Sequence, residues 1–331
     1  MIKLTLLTMI ACALLLFGCS KDHGMAGNPV SPEELMGYVE SSRYSKDLSA
    51  ISIPRPAGSE NWKTVQDLCA SRLNELGYEV ELHTYGTGVN VIGRLKGSES
   101  PERMVILSAH YDSSANCPGA DDNGSGVAGV LEAARVLAKT TYRHTLIVAL
   151  WDEEETGKFG SKAYASRAKS RGDDIIIALI YEMIGYRSQE PNSQELPAAT
   201  AQLFPQQYAE IEANHFRGDF IGLVFDEHAQ SGMDTFGEFA ASISLRYVEM
   251  PIKDESLNNP LLSEFSRSDH VSFWISGYPA VMISDTANYR YSSYHCAAGA
   301  PPDDGSRLDA DFSRDVIKAT VGTVAQLLEI K

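Results

Sequence analysis

Carboxylates and histidines recur directly behind short apolar runs in the middle of this chain: His110-Tyr-Asp112, Asp121-Asp122-Asn123-Gly124, Glu153-Glu154-Glu155, Glu182 and Tyr294-His295. Imidazole and carboxylate are ligand types for divalent cations, and a cation site needs its ligands on rigid elements that converge. A carboxylate shared by two cations offsets part of their repulsion and holds them about 3.5–4 Å apart, while neighbouring glycines let the backbone turn tightly into a following helix. Three adjacent glutamates behind a buried strand repel one another unless a cation or water relieves them. Hydrolysis at such a place asks for two different carboxylates, one ligand and one general base. His110 followed by Asp112 suits a ligand whose second ring nitrogen is held by an acid. Each motif also has an ordinary reading: a chance histidine at a strand end, a helix cap at Asn123, a solvated acidic turn at 153–155. Together they point to a two-metal hydrolase site.

The elements that must position these residues follow from periodicity. Residues 104–109, 145–151 and 175–181 are short, strongly apolar and bounded as buried parallel strands are, and 279–284 supplies a fourth core segment. Residues 126–139 place Val127, Val130, Leu131, Ala134 and Ala138 at helical spacing, as a right-handed crossover between the first two strands requires. Helices are expected from Pro32 onward, over 59–77 and over about 311–328, and paired strands over 78–85 and 89–95. The fold class is α/β, three layers with a mostly parallel central sheet. In such sheets ligands bind outside the carboxyl ends of the strands, which is where these acids and histidines fall.

Composition narrows the field further. With 331 residues and 44% apolar content the chain has material for one large core, and a net charge of −16 argues against a nucleic-acid surface. Lys3, an apolar stretch over 4–17 that is shorter than the roughly 20 residues of a spanning helix, and Leu16-Phe-Gly-Cys19 read as an export signal over 1–18. Its end resembles the lipobox of bacterial lipoproteins, with Phe17 bulkier than usual. Cys19 is then the lipid-anchored start, 19–31 a tether, and 32–331 a single catalytic domain facing the cell envelope, at the outer membrane or periplasmic face. The alternative is a plain cleaved leader. In an oxidising compartment Cys69, Cys117 and Cys296 are expected as free buried thiols, with a Cys117–Cys296 bridge as the weaker option.

His-x-Asp-Ser, Gly-Ala-Asp-Asp-Asn-Gly-Ser-Gly, Glu-Glu-x-Gly-x-x-Gly-Ser, Glu-Met-Ile-Gly-Tyr, Ser-Asp-His-x-x-Phe and Tyr-His resemble, in order and over about residues 50–330, the co-catalytic di-zinc aminopeptidases of metallopeptidase family twenty-eight. The resemblance implies a zinc-exopeptidase-like fold, peptide substrates and two Zn2+ per chain. It implies one zinc on His110 and Glu182, the other on Glu155 and His295, Asp122 bridging them, and Glu154 as general base, with Glu153 an extra acid. Many relatives have Asp at the position of Glu182, so this chain departs there from the commonest form. Tyr294 corresponds to a hydroxyl that in some relatives stabilises the tetrahedral oxyanion, or is a buried aromatic beside the site. Asp112, Asp269 and His270 are expected behind the ligands or around the pocket rather than in the chemistry. Residues 186–267, with a possible strand at 220–225, are expected to build the pocket wall. Relatives also include carboxypeptidases and single-zinc glutaminyl cyclases, and a non-catalytic surface binding protein on the same fold stays open.

Overall fold

A computed structural model describes residues 30–253 and 259–331. The leader, the lipobox with Cys19 and nearly all of the tether lie outside the described residues.

Eight strands form one sheet: β1 (Glu79–Tyr85), β2 (Gly88–Leu95), β3 (Ser100–His110), β4 (His144–Trp151), β5 (Asp174–Glu182), β6 (Ile221–Asp226), β7 (Tyr247–Ile252) and β8 (Ala280–Ser284). Their spatial order is β1-β2-β4-β3-β5-β8-β6-β7. The central block β4-β3-β5-β8 is parallel throughout. The β1–β2 hairpin joins β4 in antiparallel register, and β6 and β7, parallel to each other, run antiparallel to β8. The sheet is therefore mixed, with a parallel core flanked by antiparallel edges.

Alternation along the central strands divides the apolar residues between two cores. Val105, Leu107, Leu146, Val148, Leu150, Ile177 and Leu179 face helices Pro32–Gly37, Ser41–Ile51, Glu60–Glu75, Gly126–Leu137, Gln230–Ser242 and Ala310–Leu328. Met104, Ile106, Ile147, Ala149, Ala178 and Ile180 face helices Phe159–Arg171, Pro205–Ala213 and His270–Ser276. Residues buried on both faces of a strand leave no polar side, which is why the central strands read as continuous apolar runs. Three helices, Pro32–Gly37, Glu60–Glu75 and Ala310–Leu328, begin where short polar side chains satisfy free amides: Ser31 accepts from Glu34 N–H, Ser59 from Trp62 N–H, and Asp309 from Asp311 and Phe312.

Two neighbouring strands open the crevice. The helix after β3 leaves on one face of the sheet and the helix after β4 leaves on the other, so the carboxyl ends of β3, β4 and β5 border an unfilled cleft. The segment 186–267 does more than wall a pocket: it contributes β6 and β7 to the sheet. Sequence reading missed β7, whose Pro251 weakens its strand signal. Proline is tolerated there because β7 lies at the sheet edge.

Candidate metal centre

His110 is the last residue of β3 and is 1% exposed. Its Nε2 lies 3.3 Å from Asp122 Oδ1 and 3.6 Å from Glu182 Oε2, and its Nδ1 lies 3.3 Å from Asp112 Oδ1. None of these contacts has hydrogen-bond geometry, so both ring nitrogens are buried without a hydrogen-bond partner. Burying such groups unpartnered is costly. A cation between imidazole and carboxylates removes that cost, and the donor set of nitrogen and carboxylate oxygen is the one zinc takes.

A second cluster shares a member with the first. His295 Nε2 lies 3.0 Å from Asp122 Oδ2 and 3.2 Å from Glu155 Oε2. The groups His110/Asp122/Glu182 and Asp122/Glu155/His295 each bring their ligand atoms within 4.8 Å of one another. Asp122 thus presents one oxygen to each histidine. Glu182, whose extra methylene departs from the commoner Asp, reaches this place with Oε2 fixed by the Ser268 hydroxyl at 2.5 Å.

The polypeptide sets these side chains by local means. Asp122 sits in a buried turn, Ala120–Ser125, whose Asn123 caps no helix. Instead, Asn123 bridges to the end of β5, donating to the Tyr181 carbonyl and accepting from Met183 N–H. Glu153 adopts a left-handed backbone and accepts from Thr87, while Glu154 and Glu155 line the cleft. Asp112 accepts from the amides of both Glu154 and Glu155, at 3.1 and 3.2 Å, so it orients that turn as well as facing His110. Ser114 holds both oxygens of Glu155, through its amide and its hydroxyl.

The electrostatics are those of histidines surrounded by carboxylates. Burial pushes His110 down, but Glu182, Asp112 and Asp122 outweigh it and hold the imidazole well above the usual range. Burial likewise opposes the protonation of His295, yet Asp122 and Glu155 raise it to about 10. Burial pushes Glu154 well up; His110 counters, and Glu182 and Asp269 reinforce it.

Tyr294 stacks on His295 with ring centroids 3.8 Å apart, and its hydroxyl accepts from Arg267 at 2.9 Å. Asp269 and His270 do not line the cleft. Asp269 is fully buried, and burial raises it to about 7. His270, neutral because burial lowers it to about 4, donates to the Phe265 carbonyl at 2.9 Å. The cleft encloses about 490 Å³. Part of its wall is apolar, formed by Leu196, Val224, Met250, Phe265 and Met282.

The sequence favoured the wrong state of one feature and missed two others. Cys117 and Cys296 are bridged, correcting the expectation of free thiols, while Cys69 is free and buried. Two thiols 179 residues apart carry no local sign of pairing. Asp303 accepts from the amides of Asp121 and Asp122 and from the Tyr291 hydroxyl. Arg55, fully buried, donates to the carbonyls of Ile51, Ile53, Tyr111, Pro118 and Gly119. Neither residue sits in a chemical motif of its own.

Comparison with known proteins identifies the family. The model of peptidase family M28 matches residues 90–319. The Escherichia coli protein YfbL, described as uncharacterized, is 30% identical over 256 residues, 72% of this chain and 71% of its own length. A probable leucine aminopeptidase of Trichophyton verrucosum is 29% identical over 72% of this chain, which spans 57% of that relative. An aminopeptidase from Aneurinibacillus sp. strain AM-1 has the same fold, with a TM-score of 0.66 at 15% identity, covering 91% of this chain and 97% of the other. Matched by the family model over most of its length, and by YfbL across more than two thirds of both proteins, the chain belongs to peptidase family M28.

Proposed function

We propose that the chain is a zinc-dependent aminopeptidase that holds two zinc ions, His110 and Glu182 binding one, Glu155 and His295 the other, and Asp122 bridging. The observation that carries this reading is Asp122, with one carboxylate oxygen in each of the two clusters. Zinc bound there supplies Lewis acidity, polarising a peptide carbonyl and making a water easier to deprotonate. Glu154 takes that water's proton and returns it to the leaving amine. It suits the work because burial holds its carboxyl well up, toward the working pH. Burial and the Asp122 charge keep the Tyr294 hydroxyl protonated, and Arg267 fixes it. From that position it donates to the carbonyl oxygen as negative charge develops. The apolar wall receives the side chain of the N-terminal residue. Arg267, at the cleft, is already engaged by Glu264 and Asn288. Export with a lipid anchor at Cys19 completes the reading, and the disulfide accords with an oxidising compartment.

Glu154→Gln is expected to retain the bound metal while kcat on free-N-terminal dipeptides falls by roughly 10²–10⁴-fold. Unchanged turnover with full metal content overturns the role of Glu154. A parallel set of N-blocked peptides and N-terminal glutamine substrates tests the class. Cleavage of the blocked peptides, or ring closure without cleavage, overturns the aminopeptidase reading.

A further inference from the structure

We propose that the Cys117–Cys296 disulfide is a positioning element of the metal centre, holding His295 against Asp122 and so setting the affinity of one of the two metal positions selectively. This rests on the two-zinc reading above.

His295 is the least supported of the residues that meet at Asp122. His110 and Glu182 end the central strands β3 and β5, and Asp122 sits in a fully enclosed turn. His295 instead lies in a single turn, Tyr294–Cys296, well beyond the end of β8, and its side chain is 39% exposed. The backbone there is strained. His295 and Cys296 both take left-handed conformations, with φ of 52° and 51°. Two consecutive non-glycine residues persist in that region only where their surroundings over-determine them.

Those surroundings run through Cys296. Its sulfur is bonded to Cys117, in the loop that leads from β3 into the Asp122 turn, and also accepts from Asp303 N–H at 3.4 Å. Asp303 in turn accepts from the amides of Asp121 and Asp122. One covalent tie and one set of hydrogen bonds therefore join the same two stretches of chain, those carrying Asp122 and His295. Without the covalent tie the left-handed pair can relax, and His295 must be ordered again each time a cation binds. The penalty falls on the position formed by Asp122, Glu155 and His295. The position formed by His110, Asp122 and Glu182 keeps its strand-borne ligands.

Zinc titration of the metal-stripped full chain, by calorimetry, tests this by comparing the wild type with Cys117→Ser/Cys296→Ser. The wild type is expected to take two zinc ions. In the double variant one site keeps its affinity and the other weakens by at least about tenfold, within the range seen when a ligand's supporting partners are removed. Loss of a cross-link that merely stabilises the fold lowers the unfolding temperature and leaves both affinities alone. That outcome overturns the proposal, as does equal weakening of both sites. A wild type that binds fewer than two zinc ions overturns the two-zinc reading, and this proposal with it, before the variant is considered. Should the serine pair not fold, zinc-loaded wild type treated with a water-soluble phosphine is expected to release one zinc ion to a chromophoric chelator. Retention of both after complete reduction overturns the proposal.

Discussion

His110 and His295 show how single side chains can be tuned by their neighbours against the trend of burial. Desolvation disfavours the charged imidazole, yet both are raised, His295 to about 10, because Glu182, Asp112 and Asp122 converge on His110 and Asp122 and Glu155 on His295. The surrounding carboxylates therefore favour the protonated imidazole at both positions. A divalent cation takes the place of those protons, so zinc uptake near neutral pH is expected to release protons and its apparent affinity to rise with pH up to about 10. Calorimetric titration in buffers of different ionisation heat measures the release; uptake without protons contradicts the assignment. At this scale much of the site was legible in the sequence. His110, Glu182 and the acids at 121–122 and 153–155 stood out as motifs with their own chemistry, and the family resemblance singled out Asp122, Glu154, Glu155 and His295 among them. Arg267, Ser268 and Ser114 did not stand out, because a side chain that serves by holding another residue's oxygen carries no mark of its partner.

Among the elements, the turns behind the strands decide more than the strands themselves. β3, β4 and β5 bring the acids to one edge, but the left-handed backbone at Glu153 and the Asp112 carboxylate separate three adjacent glutamates into different roles. The loop from Tyr111 to Gly119 is held from below by Arg55, which satisfies five carbonyls from one planar fork. Burial lowers the Arg55 pKa, and the charges of Asp112, Asp122 and Asp303 oppose that shift. Arg55→Ala leaves several buried carbonyls unpaired at a cost on the order of 1–3 kcal/mol each, a loss of at least about 3 kcal/mol in chemical denaturation. Arg55→Lys is expected to recover only part of it, since an ammonium lacks the fork. A loss within about 0.5 kcal/mol, the range of ordinary surface changes, contradicts this role.

For the whole molecule, the order of strands creates the cleft and the segment 186–267 closes it. β6 and β7 extend the sheet beyond β8 and carry Val224 and Met250 to the apolar wall, opposite the carboxylates. Filling that wall is expected to change which side chain is accepted without disturbing the metal. Val224→Phe lowers kcat/KM for leucine-initiated relative to alanine-initiated dipeptides by roughly 10–200-fold, the range for a hydrophobic pocket that gains or loses a few carbons. An unchanged ratio contradicts the placement of the substrate side chain.

The sequence by itself determined the local chemistry and the layers. Apolar periodicity marks buried strands and their crossover helix, and the acids and histidines stand out as short motifs between them, because both signals depend only on residues near one another in the chain. Tertiary structure alone decided what meets across long separations: the pairing of Cys117 with Cys296, the support of Asp122 by Asp303, the Arg55 clamp, and the antiparallel edge added by β6 and β7. These depend on how strands order themselves in the sheet and where loops return. That outcome is set by packing of the whole core and leaves no periodic or spacing signal at the residues concerned.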